Sequence, residues 1–366
     1  MAGNSTLSKA KDARQDEFYT QLSDIEGELR YYRRHFKGKV VLCNCDDPYE
    51  SNFFKYFALN FNKLKLKKLI ATCYSGSPIT GTQLSLFGDE TEEERRTPYK
   101  AVVTTVHDTT GEGGVDMLDV AELFRTGENT IERLQGDGDF GSPECLELLD
   151  EADIVVTNPP FSLFREFITT LVEHGKSFII IGHANGRKYK EVFPLIKANK
   201  VWIGMTHPKK FFVPETYRNA SVRVDEQGRR YMQMGNISWY TNLDLKKRHE
   251  NKILVKRYDE GAYPHYVNFD GIDVAHVGDI PYDYAGNMGV PINMLDDFNP
   301  EQFEIVGLGE GRLGQETGIG DIQPEHRAIM TKHAAAGDLY YLEDGKPKFP
   351  YARIIIRNKR PEEPKQ

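Results

Sequence analysis

Asp153-Ile154-Val155-Val156-Thr157 is an unbroken strand-like run that stops at Asn158-Pro159-Pro160-Phe161, and residues 163–174 then take up helical spacing. Two successive prolines remove two backbone donors and fix φ twice, so a strand cannot be paired through them. A short buried strand that breaks directly into a helix is the repeating unit of α/β domains. The same order occurs earlier in the chain. Lys39-Val40-Val41-Leu42-Cys43 follows Gly38, ends in the polar turn Asn44-Cys45-Asp46-Asp47-Pro48, and leads into a Phe- and Tyr-rich helix over 51–62 and a second strand over 67–72. That strand–helix–strand unit predicts parallel strands joined by a right-handed crossover. Further strands over 99–106 and 178–181, with a short helix over 117–125, extend the alternation to a doubly wound α/β domain.

Outside this core the texture differs. Residues 1–14 form a polar lead. Ser23, with Glu26 three positions on, predicts a capping box for a helix over 23–35, whose buried face carries Ile25, Leu29, Tyr32 and Phe36. Residues 75–98 are rich in Gly, Ser, Thr and Glu without an apolar period, as in an exposed insertion. From Lys246 helical patterning fades, and two basic clusters appear, Lys246-Lys247-Arg248 and Lys256-Arg257. The chain therefore divides into an N-terminal segment (1–36), a central α/β domain (37–245) and a loop-rich C-terminal lobe (246–366). The tail over 359–366 is polar and frayed.

A formal charge of −8, from 47 Lys and Arg against 55 Asp and Glu, argues against tight non-specific nucleic-acid binding. It does not exclude DNA, because clustering of cations matters more than their sum. Cys43, Cys45, Cys73 and Cys145 include no CxxC pair, so buried reduced thiols are expected and no metal site. The N-terminus lacks an apolar signal region, and no apolar run reaches membrane-spanning length, which predicts a soluble cytoplasmic protein.

In open α/β sheets ligands bind at the carboxyl ends of the strands, which directs attention to the turn at 158–161. An exocyclic base amine is a poor nucleophile because its lone pair is delocalised into the ring. The Asn158 side-chain oxygen and the Pro159 carbonyl, held by the rigid Pro159-Pro160 pair, can accept the two amine hydrogens, and Phe161 offers a flat face to an unstacked base. The plainer reading is a Pro-Pro turn in which Asn158 caps the next helix.

Four strings bear on the choice: Asp-Glu-Phe-Tyr-Thr-Gln at 16–21, Val-Val-Leu-Cys-Asn-Cys-Asp-Asp-Pro at 40–48, Gly-Asp-Gly-Asp-Phe at 136–140 and Asn-Pro-Pro-Phe at 158–161. Through them the chain resembles the EcoRI-type adenine-specific DNA methyltransferases over most of its length. The resemblance implies a Rossmann-like S-adenosylmethionine-dependent fold with a C-terminal target-recognition lobe. It implies N6 methylation of a flipped-out adenine in duplex DNA, with Asn158, Pro159, Pro160 and Phe161 catalytic and GAATTC as a candidate site.

It further implies that Phe18, Tyr19 and Thr20 flank the methionine part of the cofactor, a cationic sulfonium suiting an aromatic face. Asn44, Asp46, Asp47 and Pro48 would hold the methionyl group, and Asp139 and Phe140 the cofactor's adenine. A monomer is expected, acting beside a cognate restriction endonuclease without a stable complex. Two features depart from ordinary methyltransferases. No glycine lies between Val40 and Ser51, and the second strand ends in Thr72-Cys73-Tyr74 where a carboxylate usually grips the ribose. Lys209-Lys210-Phe211-Phe212 and the run from His183 to Lys188 are candidates for phosphate and base contacts. Gly289-Val290-Pro291-Ile292 resembles a family hallmark to which local chemistry assigns no role. Cytosine N4 or protein glutamine as substrate, and a catalytically silent DNA-binding scaffold, stay open at this point.

Overall fold

The computed structural model describes residues 19–44, 51–73, 98–109, 115, 117–125, 127–213, 217, 219–330 and 333–362. The chain forms two compact units, one from Met1–Gly186 with Gly204–Leu243, the other from Arg187–Ile203 with Asp244–Gln366.

The first unit is built on a mixed sheet. Within the unit its strands lie in the order Thr130–Arg133, Tyr99–Val103, Lys68–Thr72, Val40–Asn44, Ile154–Thr157, Ser177–His183 and Ile237–Thr241. The four central strands are parallel, as the strand–helix alternation requires. The flanking strands correct the doubly wound expectation: Tyr99–Val103, Thr130–Arg133 and Ile237–Thr241 all run antiparallel to their neighbours. Antiparallel edges need no crossover helix, so they escape a search for strand–helix repeats. Val40–Asn44 and Ile154–Thr157 are buried along their whole length, which is why they read as continuous apolar runs. Asp153 sets their register. Its amide donates to the Val40 carbonyl (3.0 Å), while its carboxylate accepts from the Val40 amide (2.8 Å) and the Lys39 ammonium (3.2 Å).

The helices follow their caps. Ser51 accepts from the amides of Phe53 (3.1 Å) and Phe54 (3.4 Å) and starts Asn52–Leu59. A second short helix, Phe61–Leu64, occupies the end of the predicted 51–62 segment. The capping box expected at Ser23 is not formed: the helix runs Leu22–Leu29 from Gln21, which makes no side-chain cap, and Arg33–Phe36 is a separate turn. Ile25, Leu29, Tyr32 and Phe36 are all buried nonetheless, because the three-to-four-residue spacing survives the break. Pro143–Glu151, capped by Ser142 accepting from the Cys145 amide (3.3 Å), was not anticipated. Phe164–Glu173 and Ser177–His183 lie where expected. Of the expected insertion only Pro98 belongs to the described residues. Cys43, Cys73 and Cys145 are buried; Cys45 lies outside the described residues.

A smaller sheet in the same unit pairs Tyr19–Thr20, Lys210–Phe212, Arg230–Gln233 and Arg223–Val224 in that order, all antiparallel.

The second unit centres on the sheet Ile272–Asp273, Met288–Pro291, Arg353–Asn358 and Phe303–Leu308. Buried in it, Asp273 accepts from the Tyr266 hydroxyl (2.6 Å) and from Arg353 Nε and Nη2 (2.9 and 3.3 Å). A Cβ on Gly289 would overlap the Tyr266 hydroxyl. The Gly-Val-Pro-Ile string thus has a structural role: its glycine makes room for a buried polar triad, and its Val290 is fully buried.

Candidate functional site

The site grows from the carboxyl ends of the parallel strands. Asn44 and Thr72 stand opposite each other in register at the ends of Val40–Asn44 and Lys68–Thr72. On the other side the Thr157 hydroxyl donates to the Asn44 carbonyl. The N-terminal strand is tied to the helix that follows this sheet strand, because the Asn52 side-chain amide, in the first turn after Ser51, donates to the Thr20 carbonyl (2.7 Å). Thr20 Oγ1, Asn44 Oδ1 and Thr72 Oγ1 are buried and have no hydrogen-bond partner among the described residues. Buried polar side chains are normally partnered, so two such atoms at adjacent strand ends, with a third on the N-terminal strand, mark places where a polar ligand can complete the bonding. Two hydroxyls and an amide oxygen suit the hydroxyl- and ammonium-bearing parts of an amino-acid nucleoside such as S-adenosylmethionine, so the residues present fit that group.

Asn158 leaves the end of Ile154–Thr157 half-buried, Pro159 is buried, and Pro160 and Phe161 are half-buried. The turn closes through the Pro160 carbonyl, which accepts from the Leu163 amide (2.9 Å). Its own bond therefore uses Pro160 and not the Pro159 carbonyl. Packing beneath fixes the turn: Phe164 lies against Tyr240 with ring centroids 4.9 Å apart, and a Cβ at Gly182 would overlap the Phe164 ring. Next to it, His183 ends Ser177–His183. Burial holds its imidazole below the ordinary histidine range, and its Nδ1 accepts from the Asn185 amide (3.1 Å). Its Nε2 meets the Asn236 side-chain amide.

The other expected site residues fall into three groups. Tyr19, half-buried, and Thr20 pair with Phe212 and Phe211. Asp139 is exposed and accepts from the Gly141 amide (2.9 Å), while Phe140 is buried edge-on to Phe167 at 5.0 Å. Phe18, Asp46, Asp47 and Pro48 lie outside the described residues. Among the phosphate and base candidates two expectations fail. Arg187 is buried in an ion pair with Asp296 (2.6 Å) within the second unit, and Phe211 is fully buried. Neither can meet a phosphate or a base.

Glu28 was missed. Its fully buried carboxylate accepts from the Tyr32 hydroxyl (2.7 Å), the amides of Met205 (2.7 Å) and Thr206 (2.6 Å), and the Thr206 hydroxyl (2.7 Å). It ties the first helix to the turn that enters Lys210–Phe212, the strand on which Tyr19–Thr20 is laid. Its place on the Ile25–Leu29–Tyr32 face was the available signal. Among the described residues no group of three or more His, Cys, Asp or Glu is placed to hold a metal ion, and no helix is long and apolar enough to cross a membrane.

A family model described as adenine-specific methyltransferase EcoRI matches residues 6–359. The chain is 41% identical over 368 residues to Type II methyltransferase M.EcoRI of Escherichia coli, covering 98% of each chain. It is 34% identical to Type II methyltransferase M.MpnI of Mycoplasma pneumoniae over 96% of this chain and 98% of that one. A third relative, Type II methyltransferase M.MgeORF184P of Mycoplasma genitalium, is 34% identical over 82% of this chain and 85% of its own length. No solved structure matches.

Proposed function

The chain belongs to the family of adenine-specific EcoRI methyltransferases, and from that premise we propose that it methylates adenine N6 at a specific site in duplex DNA with S-adenosylmethionine as donor. GAATTC, carried over from the family resemblance, is the candidate site. The first unit is the Rossmann-like catalytic domain and the second the target-recognition lobe, in a monomeric enzyme.

The observation that carries this reading is the Asn-Pro-Pro-Phe turn at the end of a parallel strand, in the same sheet whose strand ends carry the unpartnered polar atoms of Asn44 and Thr72. S-adenosylmethionine, when bound, supplies a methyl group made electrophilic by its sulfonium. Thr20, Asn44 and Thr72 hold it by the hydrogen bonds they otherwise lack. Asn158 Oδ1 and the Pro159 carbonyl accept the two amine hydrogens of the extruded adenine, which draws the nitrogen towards tetrahedral geometry and frees its lone pair. The Phe161 ring supports the base from one face. Because the prolines fix the turn before substrate arrives, little reorganisation is left for the reacting complex.

The test is to express the chain and map N6-methyladenine across genomic DNA by single-molecule sequencing, beside Asn158→Ala. Asn158→Ala should lose methylation while S-adenosylmethionine affinity stays within about twofold. Near-normal turnover in that variant would refute the assigned role, and failure of the parent chain to bind S-adenosylmethionine would mark a silent scaffold.

A further inference from the structure

Residues 246–257, in the second unit, are strongly basic: Lys246, Lys247, Arg248, Lys252, Lys256 and Arg257 stand against the single acid Glu250, in a protein whose net charge is −8. Within the stretch two β-branched side chains face solvent, Ile253 at 90% and Val255 at 71% exposure. Fraying does not account for this, because the backbone is pinned on both sides of them. Gln302 receives the Lys252 amide (2.7 Å) and donates to the Lys252 carbonyl (2.9 Å), and the Tyr282 amide donates to the Lys256 carbonyl (2.9 Å). Between the pins Leu254 turns inward while its two neighbours turn out. A polar cleft of about 320 Å³ runs alongside, lined by Lys252, Tyr282, Asn358 and Arg360 among others.

The cations are arranged to be available. Lys246 makes only an exposed ion pair, with Glu250 (3.4 Å), which contributes little in water and exchanges readily, while the exposed Arg257 guanidinium reaches the buried Asp283 carboxylate (3.5 Å). Lys256 is exposed and forms no ion pair among the described residues. Arg248, by contrast, is buried at 3.5 Å over the Trp202 ring and serves the fold. Pinned apolar side chains rimmed by exposed cations match the chemistry of a nucleic-acid groove, where phosphates flank apolar base edges such as the thymine methyl.

We propose that residues 246–257 are a duplex-DNA docking ribbon, in which Lys246, Lys256 and Arg257 meet backbone phosphates while Ile253 and Val255 enter the groove between them. This rests on the reading that the substrate is duplex DNA, and it assigns that contact to a segment which neither the Asn-Pro-Pro-Phe turn nor the family strings identify.

The test uses the full chain and a short duplex carrying whichever site the parent methylates. Two double variants are compared with the parent: Lys256→Gln with Arg257→Gln, and Ile253→Ser with Val255→Ser. The first should make the slope of log affinity against log salt shallower by about 2, near the 0.9 expected per released phosphate contact. The second should weaken binding roughly tenfold with the slope unchanged. Thermal melting and S-adenosylmethionine titration of each variant should match the parent, which separates docking from folding. If the parent methylates DNA and both variants bind it as the parent does, the ribbon assignment is overturned. It is also overturned if sedimentation shows a parent dimer that Ile253→Ser with Val255→Ser converts to monomer, because the ribbon would then be an interface between copies. If the parent neither binds nor methylates DNA, the functional reading fails first and takes the ribbon with it.

Discussion

Replacing Glu28 tests whether one buried carboxylate holds the cofactor strand in place. Its four donors come from two places: the Tyr32 hydroxyl, just before Arg33–Phe36, and two amides and a hydroxyl of Met205 and Thr206. Hydrogen bonds to a charged group contribute about 1.5–3 kcal/mol each, and each donor left buried and unmet costs about 1–3 kcal/mol. Tyr32 is fully buried, so its hydroxyl loses its acceptor outright. The Met205 and Thr206 groups are half-buried and recover part of their bonding from water. Glu28→Ala should therefore destabilise the first unit by about 4 kcal/mol, in the range for breaking a buried charged network. Glu28→Gln keeps the shape and one acceptor oxygen and should lose about half of that. The assay is urea unfolding followed through Trp239, which is buried in this unit, in a Trp202→Phe background so that it reports alone. At a typical slope of 2–3 kcal/mol per molar, the alanine variant's midpoint should fall by roughly 1.5 M. An alanine variant within about 1 kcal/mol of the parent, or a glutamine variant as damaged as the alanine one, would refute the reasoning.

Two further outcomes follow from the same kind of geometry. Gly289→Ala should destabilise the second unit by about 3 kcal/mol, because the added methyl displaces the Tyr266 hydroxyl from Asp273 and leaves a buried ion pair short of a donor; thermal melting should show the loss shrinking in a Tyr266→Phe background. Burial by itself would raise the Asp153 carboxyl, but the Val40 amide and Lys39 ammonium outweigh it and hold it below the usual carboxylate range. The folded state then binds fewer protons than the unfolded one, so this stabilisation is present above about pH 4 and is lost as pH falls through the depressed value. In acid titrations followed by circular dichroism, Asp153→Asn should unfold with a shallower pH dependence than the parent at the acid end.

What could be read along the chain was whatever is enforced locally. Val40–Asn44 and Ile154–Thr157 announced themselves because strands covered on both faces must be apolar throughout, and Asn158-Pro159-Pro160-Phe161 because two prolines allow few conformations. The buried face of Ile25, Leu29, Tyr32 and Phe36 was legible from spacing even though the helix breaks between Leu29 and Arg33. The antiparallel directions of Tyr99–Val103, Thr130–Arg133 and Ile237–Thr241 were not, since nothing local in a strand states its direction.

Side-chain fates lay further out of reach. Arg187 and Phe211 carry the chemistry of a DNA contact yet are buried, Arg187 by pairing with Asp296 more than a hundred residues away. Glu28 has the composition of a solvated surface residue, and it became an anchor because the turn at Met205–Thr206 brings its amides there. The sequence by itself determined the central strands, the rigid turn and the kind of chemistry that turn can do, all set by the conformational limits of neighbouring residues. Only the tertiary structure decided that polar atoms of Thr20, Asn44 and Thr72 stay unmatched, and which cations remain exposed, because hydrogen-bond satisfaction and burial depend on partners distant in sequence.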